Sequence, residues 1–205
     1  MSVEHVEVLV EEPSMEAALR ALLPKVLGAV SFDIYPYQCK NELLARLPTR
    51  LSGYSRWIKD SWRILVVVDR DDDDCAQLKR TLEDMARASG LKTRIGVEGK
   101  PWTVVNRLAI EELESWYFGD WQAVRKAYPR VPATIPMQAK YRDPDAIAGG
   151  TWEAFERVLQ RAGYFKGGLA KIEAARTIAP HMIPTGNSSR SFQVLNAVLS
   201  EMTAA

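Results

Sequence analysis

Val6-Glu7-Val8-Leu9-Val10 is a short β-branched run that stops at Glu11-Glu12-Pro13, the pattern of a strand ending in a turn. Behind it, Met15, Leu19, Leu22, Leu23, Val26 and Leu27 recur at the spacing of an amphipathic helix, which Pro24 should kink or shorten. Residues 32–37 predict a second strand, and Pro36, with no N–H for a neighbour, suits a sheet edge. Asn41 is placed to cap a helix through Leu43, Leu44 and Leu47, with Pro48 expected to break it. Arg63-Ile64-Leu65-Val66-Val67-Val68 is the clearest strand: an unbroken apolar run implies burial on both faces, as in the middle of a parallel sheet. Asp74 with Gln77 marks a helix start, Leu78, Leu82 and Met85 its buried side, and Gly90 its end. Residues 93–97 and 104–110 are further strand candidates.

Beyond Ile110 the period changes. Residues 111–118 predict one short helix, a stretch with Pro129, Pro132, Pro136 and Pro144 follows, and helical patterns recur at 152–162 and 169–178. Ser189 or Ser191 opens a last helix with Phe192, Leu195, Val198, Leu199 and Met202 on one side. Strands joined by helices imply an α/β fold with a largely parallel sheet. The expected division is an α/β core over residues 1–110 and a helical part over 111–205 packed on it, or one continuous domain.

Composition narrows the function classes. Lys+Arg 27 against Asp+Glu 26 leaves a formal charge of +1, so no global basic field draws the protein to nucleic acid, and any such contact needs a local patch. The two cysteines, Cys39 and Cys75, stand apart from any Cys-x-x-Cys or Cys/His cluster, so a structural zinc site is not expected. His5 and His181 show no neighbouring ligand pattern. No signal peptide pattern opens the chain and no apolar run approaches the ~20 residues of a membrane span, so a cytoplasmic protein with reduced thiols is expected.

Charge is concentrated in one place. Asp69-Arg70-Asp71-Asp72-Asp73-Asp74 follows the best strand, at the end of a parallel sheet where ligands bind. On an extended chain Asp69 and Asp71 would lie on one side, about 6.6 Å apart, and a divalent cation relieves such repulsion. Asp73 and Asp74 are expected in the ordinary role of helix N-terminal residues. Glu11, at the end of the first strand, is a second ligand or a general base, with Glu12 facing out. Glu111 and Glu114, three apart on the expected helix and so on one face, are candidates for a second metal site, with Glu112 weaker. Lys40, Lys140, Lys166 and Lys171 are candidates for phosphate contacts. The six tryptophans are too dispersed to form a base-stacking platform.

Three stretches together carry a family resemblance: Leu9-Val10-Glu11-Glu12-Pro13-Ser14-Met15-Glu16, Val66 to Cys75 through the acidic run, and Ile110-Glu111-Glu112-Leu113-Glu114-Ser115-Trp116-Tyr117-Phe118-Gly119-Asp120. With Tyr141-Arg142-Asp143-Pro144-Asp145 and Ser189-Arg190-Ser191-Phe192, the chain resembles, over nearly its whole length, the bacterial family called domain of unknown function 4276. That family is similar to the Toprim fold of topoisomerases, primases and overcoming-lysogenization-defect nucleases. The resemblance implies a Toprim-like α/β fold in which Glu11, Asp69 and Asp71 are catalytic residues around Mg2+ or Mn2+. It also implies a setting in phage defence beside an ATPase partner. Glu12 stands where the Toprim pattern usually has Gly. The leading expectation is a Mg2+-dependent nuclease acting on DNA or RNA. The alternatives are a non-catalytic metal- or nucleotide-binding module partnering an ATPase, and a structural domain whose aspartates cap a helix.

Overall fold

Four strands and eight α-helices, with short 3-10 turns between the later ones, make up the computed structural model, which describes residues 2–95 and 101–204. The strands β1 (His5–Val10), β2 (Ser31–Pro36), β3 (Trp62–Asp69) and β4 (Val104–Ala109) form one sheet in the order β2-β1-β3-β4, all parallel. β2 is an edge strand, as Pro36 predicts. β1 and β3 lie in the centre and are buried along almost their whole length, which is why β3 reads as an unbroken apolar run; β1 is equally buried but carries His5 and Glu7 among its apolar residues.

Each successive pair of strands needs a crossover, and three helices supply them: α1 (Pro13–Leu27), α2 (Lys40–Tyr54) and α3 (Cys75–Ala88). Leu9, Ile64, Val66 and Val68 face α2 and α3, packing on Leu43, Leu47, Leu51, Leu78 and Leu82. Val6, Val8, Val10, Leu65 and Val67 face the other way, onto α1 and the second half of the chain. That half contains α4 (Glu114–Gly119), α5 (Trp121–Ala127), α6 (Thr151–Arg161), α7 (Lys171–Ile178) and α8 (Arg190–Thr203). One apolar cluster runs from Val6 through Trp116, Phe155 and Ile178 to Met202, so both halves of the chain share a core.

Five expectations need correction. Asn41 does not cap α2: it lies inside the helix, which starts at Lys40 behind Cys39. Pro24 does not shorten α1, which continues to Leu27, nor does Pro48 break α2, which continues to Tyr54. An interior proline costs about 3 kcal/mol. Fully burying a leucine returns ~1.5–3 kcal/mol, and Leu27 lies beyond Pro24 as Leu51 lies beyond Pro48, both at 1% exposure or less. Residues 93–95 are not a strand: Thr93 makes a single parallel bridge to Val104, and the rest of the expected strand, 96–97, lies outside the described residues. The helix expected from 111 begins at Glu114, because Glu111 adopts the left-handed conformation with φ 59°. No helix among the described residues is long and apolar enough to cross a membrane.

Candidate metal centre

β1 and β3 end side by side, and each delivers a carboxylate there. Glu11, the residue after β1, is buried, and its Oε2 accepts a hydrogen bond from the Asp69 backbone N–H at 2.9 Å. Asp69, the last residue of β3, is 3% exposed, and its Oδ1 has no hydrogen-bond partner. Burial holds the Asp69 carboxyl well above the ordinary range, and the charges of Glu11, Glu12, Glu114 and Asp71 push it further. Burial also raises Glu11 to about 7, opposed by the Asp69 N–H and the Lys40 ammonium.

Asp71 does not continue the strand. It is left-handed, with φ 48°, so Asp69 and Asp71 are not related by extended geometry. Its N–H donates to the Glu111 carbonyl at 2.8 Å, which sets two left-handed non-glycine residues against each other just beyond the ends of β3 and β4. Such conformations cost of order 1–3 kcal/mol each and cluster at functional sites. The Asp71 carboxylate turns onto Lys40 Nζ at 2.6 Å, and Lys40 also meets Asp73 at 2.8 Å and the Arg70 carbonyl at 3.1 Å. Asp74 caps α3, accepting from the Gln77 N–H at 2.6 Å, as its position predicts.

Glu111 and Glu114 do not share a face. The Glu111 carboxylate pairs with the Arg70 guanidinium. Glu114, first residue of α4, turns inward, is 1% exposed and leaves Oε2 without a partner. Burial lifts it to about 7, Lys171 opposing and Glu112 and Glu12 adding to the rise. Glu112 caps α6 from outside, accepting from the Trp152 N–H at 2.9 Å and Thr151 Oγ1 at 3.0 Å. Glu12, expected to face solvent, is half-buried instead, accepts from Ser14 Oγ and stands 3.9 Å from Lys171 Nζ. Lys171 is 4.0 Å from Glu112 and lies over the Trp152 ring. Of the four lysines singled out, Lys40 and Lys171 therefore flank the carboxylates. Lys140 covers the Tyr141 ring, and Lys166 is exposed.

Sequence reasoning missed Tyr117. Its hydroxyl is buried without a partner, and burial together with Glu114, Glu12 and Asp69 pushes it well above its usual range. It sits one helical turn from Glu114, a spacing that could have found it. An acidic cleft of about 570 Å³ is lined by Asp71, Asp72, Glu111 and Glu112 together with Gly149, Gly150 and Trp152.

Buried oxygen donors, with unpartnered oxygens on Asp69 and Glu114, suit a hard divalent cation such as Mg2+ or Mn2+. With Asp71 drawn onto Lys40, the Glu11, Asp69 and Asp71 oxygens do not gather as tightly as those of a second group among the described residues, His5, Glu7 and Asp33, whose ligand atoms all lie within 4.8 Å.

A family model, that of the domain of unknown function DUF4276, matches residues 10–202. The chain belongs to this family. No curated protein matches it. The solved structure of the C-terminal region of the Xanthomonas campestris pv. campestris OLD protein, phased with platinum, is similar at a TM-score of 0.49 and 14% identity, over 98% of this chain and 92% of that one. In this DUF4276 chain the two distal stretches of the sequence pattern meet: Asp145 accepts hydrogen bonds from Ser189 Oγ and Ser191 Oγ, both at 2.9 Å, and from the backbone at the start of α8. Their pairing fastens α8, which packs on α1 and β4, to the loop before α6.

Proposed function

We propose that this protein is a Mg2+- or Mn2+-dependent nuclease of the Toprim type, hydrolysing phosphodiesters in DNA or RNA. Glu11, Asp69 and Asp71 hold the ion, and Glu114, more than the Arg70-paired Glu111, contributes to a second site. The observation that carries this reading is the pair Glu11–Asp69: two buried carboxylates at adjacent strand ends, the Glu11 carboxylate accepting the Asp69 backbone N–H and the Asp69 carboxylate with an unpartnered oxygen, where open parallel sheets bind ligands. Placing like charges together costs stability, and perturbed carboxylates of this kind cluster at functional sites.

The cation, when bound, supplies charge stabilisation at the phosphoryl oxygens. Glu11 can take a proton from the attacking water as general base. The Asp69 N–H holds Glu11 Oε2 in place and leaves Oε1 for that work. Lys40 and Lys171 stand on the two sides of the cluster, where substrate phosphates would exchange for their present carboxylate partners. A net charge of +1 gives little steering, which fits delivery of the substrate by a partner such as an ATPase.

Glu12 favours a second reading, a non-catalytic metal- or nucleotide-binding module. Its backbone is extended, φ −144° and ψ 161°, so the position does not require the glycine of the Toprim pattern, but its side chain adds a carboxylate 3.9 Å from Lys171. Incubation with plasmid, single-stranded DNA and RNA in Mg2+ or Mn2+ separates the two. The nuclease reading expects cleavage that Glu11→Gln and Asp69→Asn each reduce at least about 100-fold, the lower range for a lost general base. Undiminished cleavage by Glu11→Gln refutes it, and metal-dependent nucleotide binding without cleavage by the wild type favours the module.

A further inference from the structure

The opposite end of the sheet holds a group of side chains that the nuclease reading does not use. His5 and Glu7 alternate onto one face of β1, and in the β1–β2 register they pair with Ser31 and Asp33. His5 lies 8% exposed under the Trp62 ring, with centroids 4.2 Å apart. Its Nε2 is buried, has no hydrogen-bond partner, and faces Glu7 Oε1 at 3.4 Å and Asp33 Oδ2 at 3.8 Å.

The other ring nitrogen decides the tautomer. Ser31 Oγ lies 2.8 Å from His5 Nδ1 and donates to the Glu4 carbonyl at 3.0 Å, an arrangement in which the hydroxyl oxygen is free to accept the Nδ1–H. In a neutral ring that leaves a bare lone pair on Nε2, aimed at two carboxylates. Glu7 and Asp33 occupy directly paired positions on neighbouring strands, an arrangement that destabilises like charges. Among the described residues neither carboxylate has a Lys or Arg nitrogen within 4.0 Å. Glu7 is 4% exposed, and its Oε2 accepts from the Tyr54 hydroxyl at 2.7 Å, a bond that orients the carboxylate as outer partners orient metal ligands.

From these contacts we infer that His5 Nε2, Glu7 Oε1 and Asp33 Oδ2 form a zinc-class divalent metal site that clips the edge strand β2 to β1. One imidazole and two carboxylates balance a +2 charge. The set suits Zn2+ or Co2+ better than Mg2+, which prefers oxygen alone. Ligand atoms bound at ~2.0–2.1 Å around a tetrahedral ion stand about 3.3 Å apart. The His5–Glu7 separation of 3.4 Å matches this, and exposed Asp33 needs a small movement. Glu7 and His5 stand four and six residues before Glu11, roughly 13 and 20 Å along the strand, so the site stands or falls independently of the nuclease centre.

The test is titration of the full chain with Zn2+ and Co2+ under excess Mg2+, read by calorimetry and by the visible d–d bands of Co2+. The site expects one zinc bound in competition with Mg2+, a four-coordinate Co2+ spectrum and quenching of fluorescence from Trp62 beside the ring. His5→Gln and Asp33→Asn should each weaken binding at least tenfold and abolish the spectrum, whereas Asp71→Asn should leave both intact. Asp33 is largely exposed, so its variant is expected to fold whatever befalls His5→Gln. Failure of the wild type to bind Zn2+, or retention of the Co2+ spectrum in Asp33→Asn, overturns the proposal.

Discussion

Replacing Glu114 by glutamine should stabilise the protein, and only above a certain pH. Glu114 is 1% exposed and titrates at about 7 in the fold against an ordinary value of 4.5, a difference that already includes the attraction of Lys171. A carboxyl with a raised folded value favours folding when protonated. Its penalty is absent below pH 4.5, grows as the unfolded chain ionises while the folded one does not, and is complete once pH passes about 7. At ~1.36 kcal/mol per unit, the rise from 4.5 to about 7 amounts to about 3 kcal/mol. Glutamine keeps the shape and carries no charge. In EDTA, urea denaturation of Glu114→Gln and wild type should give equal stabilities at pH 4, diverge between pH 4.5 and 7, and differ by about 3 kcal/mol at pH 8. For a chain of this length that is ~6–12 °C in Tm. Magnesium should shrink the advantage, because the wild-type carboxylate then has a cation to face. A variant no more stable than wild type at pH 8, or a difference that does not change with pH, refutes the reasoning.

Two further outcomes test separate parts of the molecule. Millimolar Mg2+ or Mn2+ should raise the wild-type melting temperature, by the equivalent of about 2.7 kcal/mol at a hundred times Kd, and Asp71→Asn should largely abolish the increase. An equal rise in both proteins would place the ion away from Asp71. Asp145→Ala removes the acceptor of two serine hydroxyls and of the Arg190 and Ser191 N–H groups at the start of α8, and should cost ~2–3 kcal/mol in chemical denaturation. A loss under about 0.5 kcal/mol, the range of an ordinary surface change, would show that α8 does not depend on this contact.

Much of the fold was legible because its signals are local. The period of apolar residues is a property of ten or so consecutive positions, and it marked β1, β3, α1, α3 and α8. Pro36 placed β2 at the edge, since a missing N–H cannot serve an inner strand. The acidic strand end, Glu11 beside the first turn and the Asp74 cap were visible for the same reason. Proline inside α1 and α2 misled, because the local cost of a broken helix is visible in the sequence while the leucines buried beyond it are paid for only by the sheet. The left-handed turn at Glu111 misled as well: glutamate carries no signal for that conformation, so the Glu111–Glu114 face was read on a helix that starts three residues later.

What the sequence determined by itself was therefore the kind of elements, their order, and the places where acidic residues collect. Tertiary structure alone decided which charges meet. Lys40 reaches Asp71 across 31 positions, Glu11 accepts from Asp69 across 58, and Lys171 comes from the far half of the chain to Glu12 and Glu112. It decided too that Glu114 faces inward and that His5, silent as a sequence feature, lies between Glu7 and Asp33. The physical reason is that the partner of a side chain depends on strand order and register. Strand order and register follow from burying both faces of the sheet at once, and no local window of sequence contains that requirement.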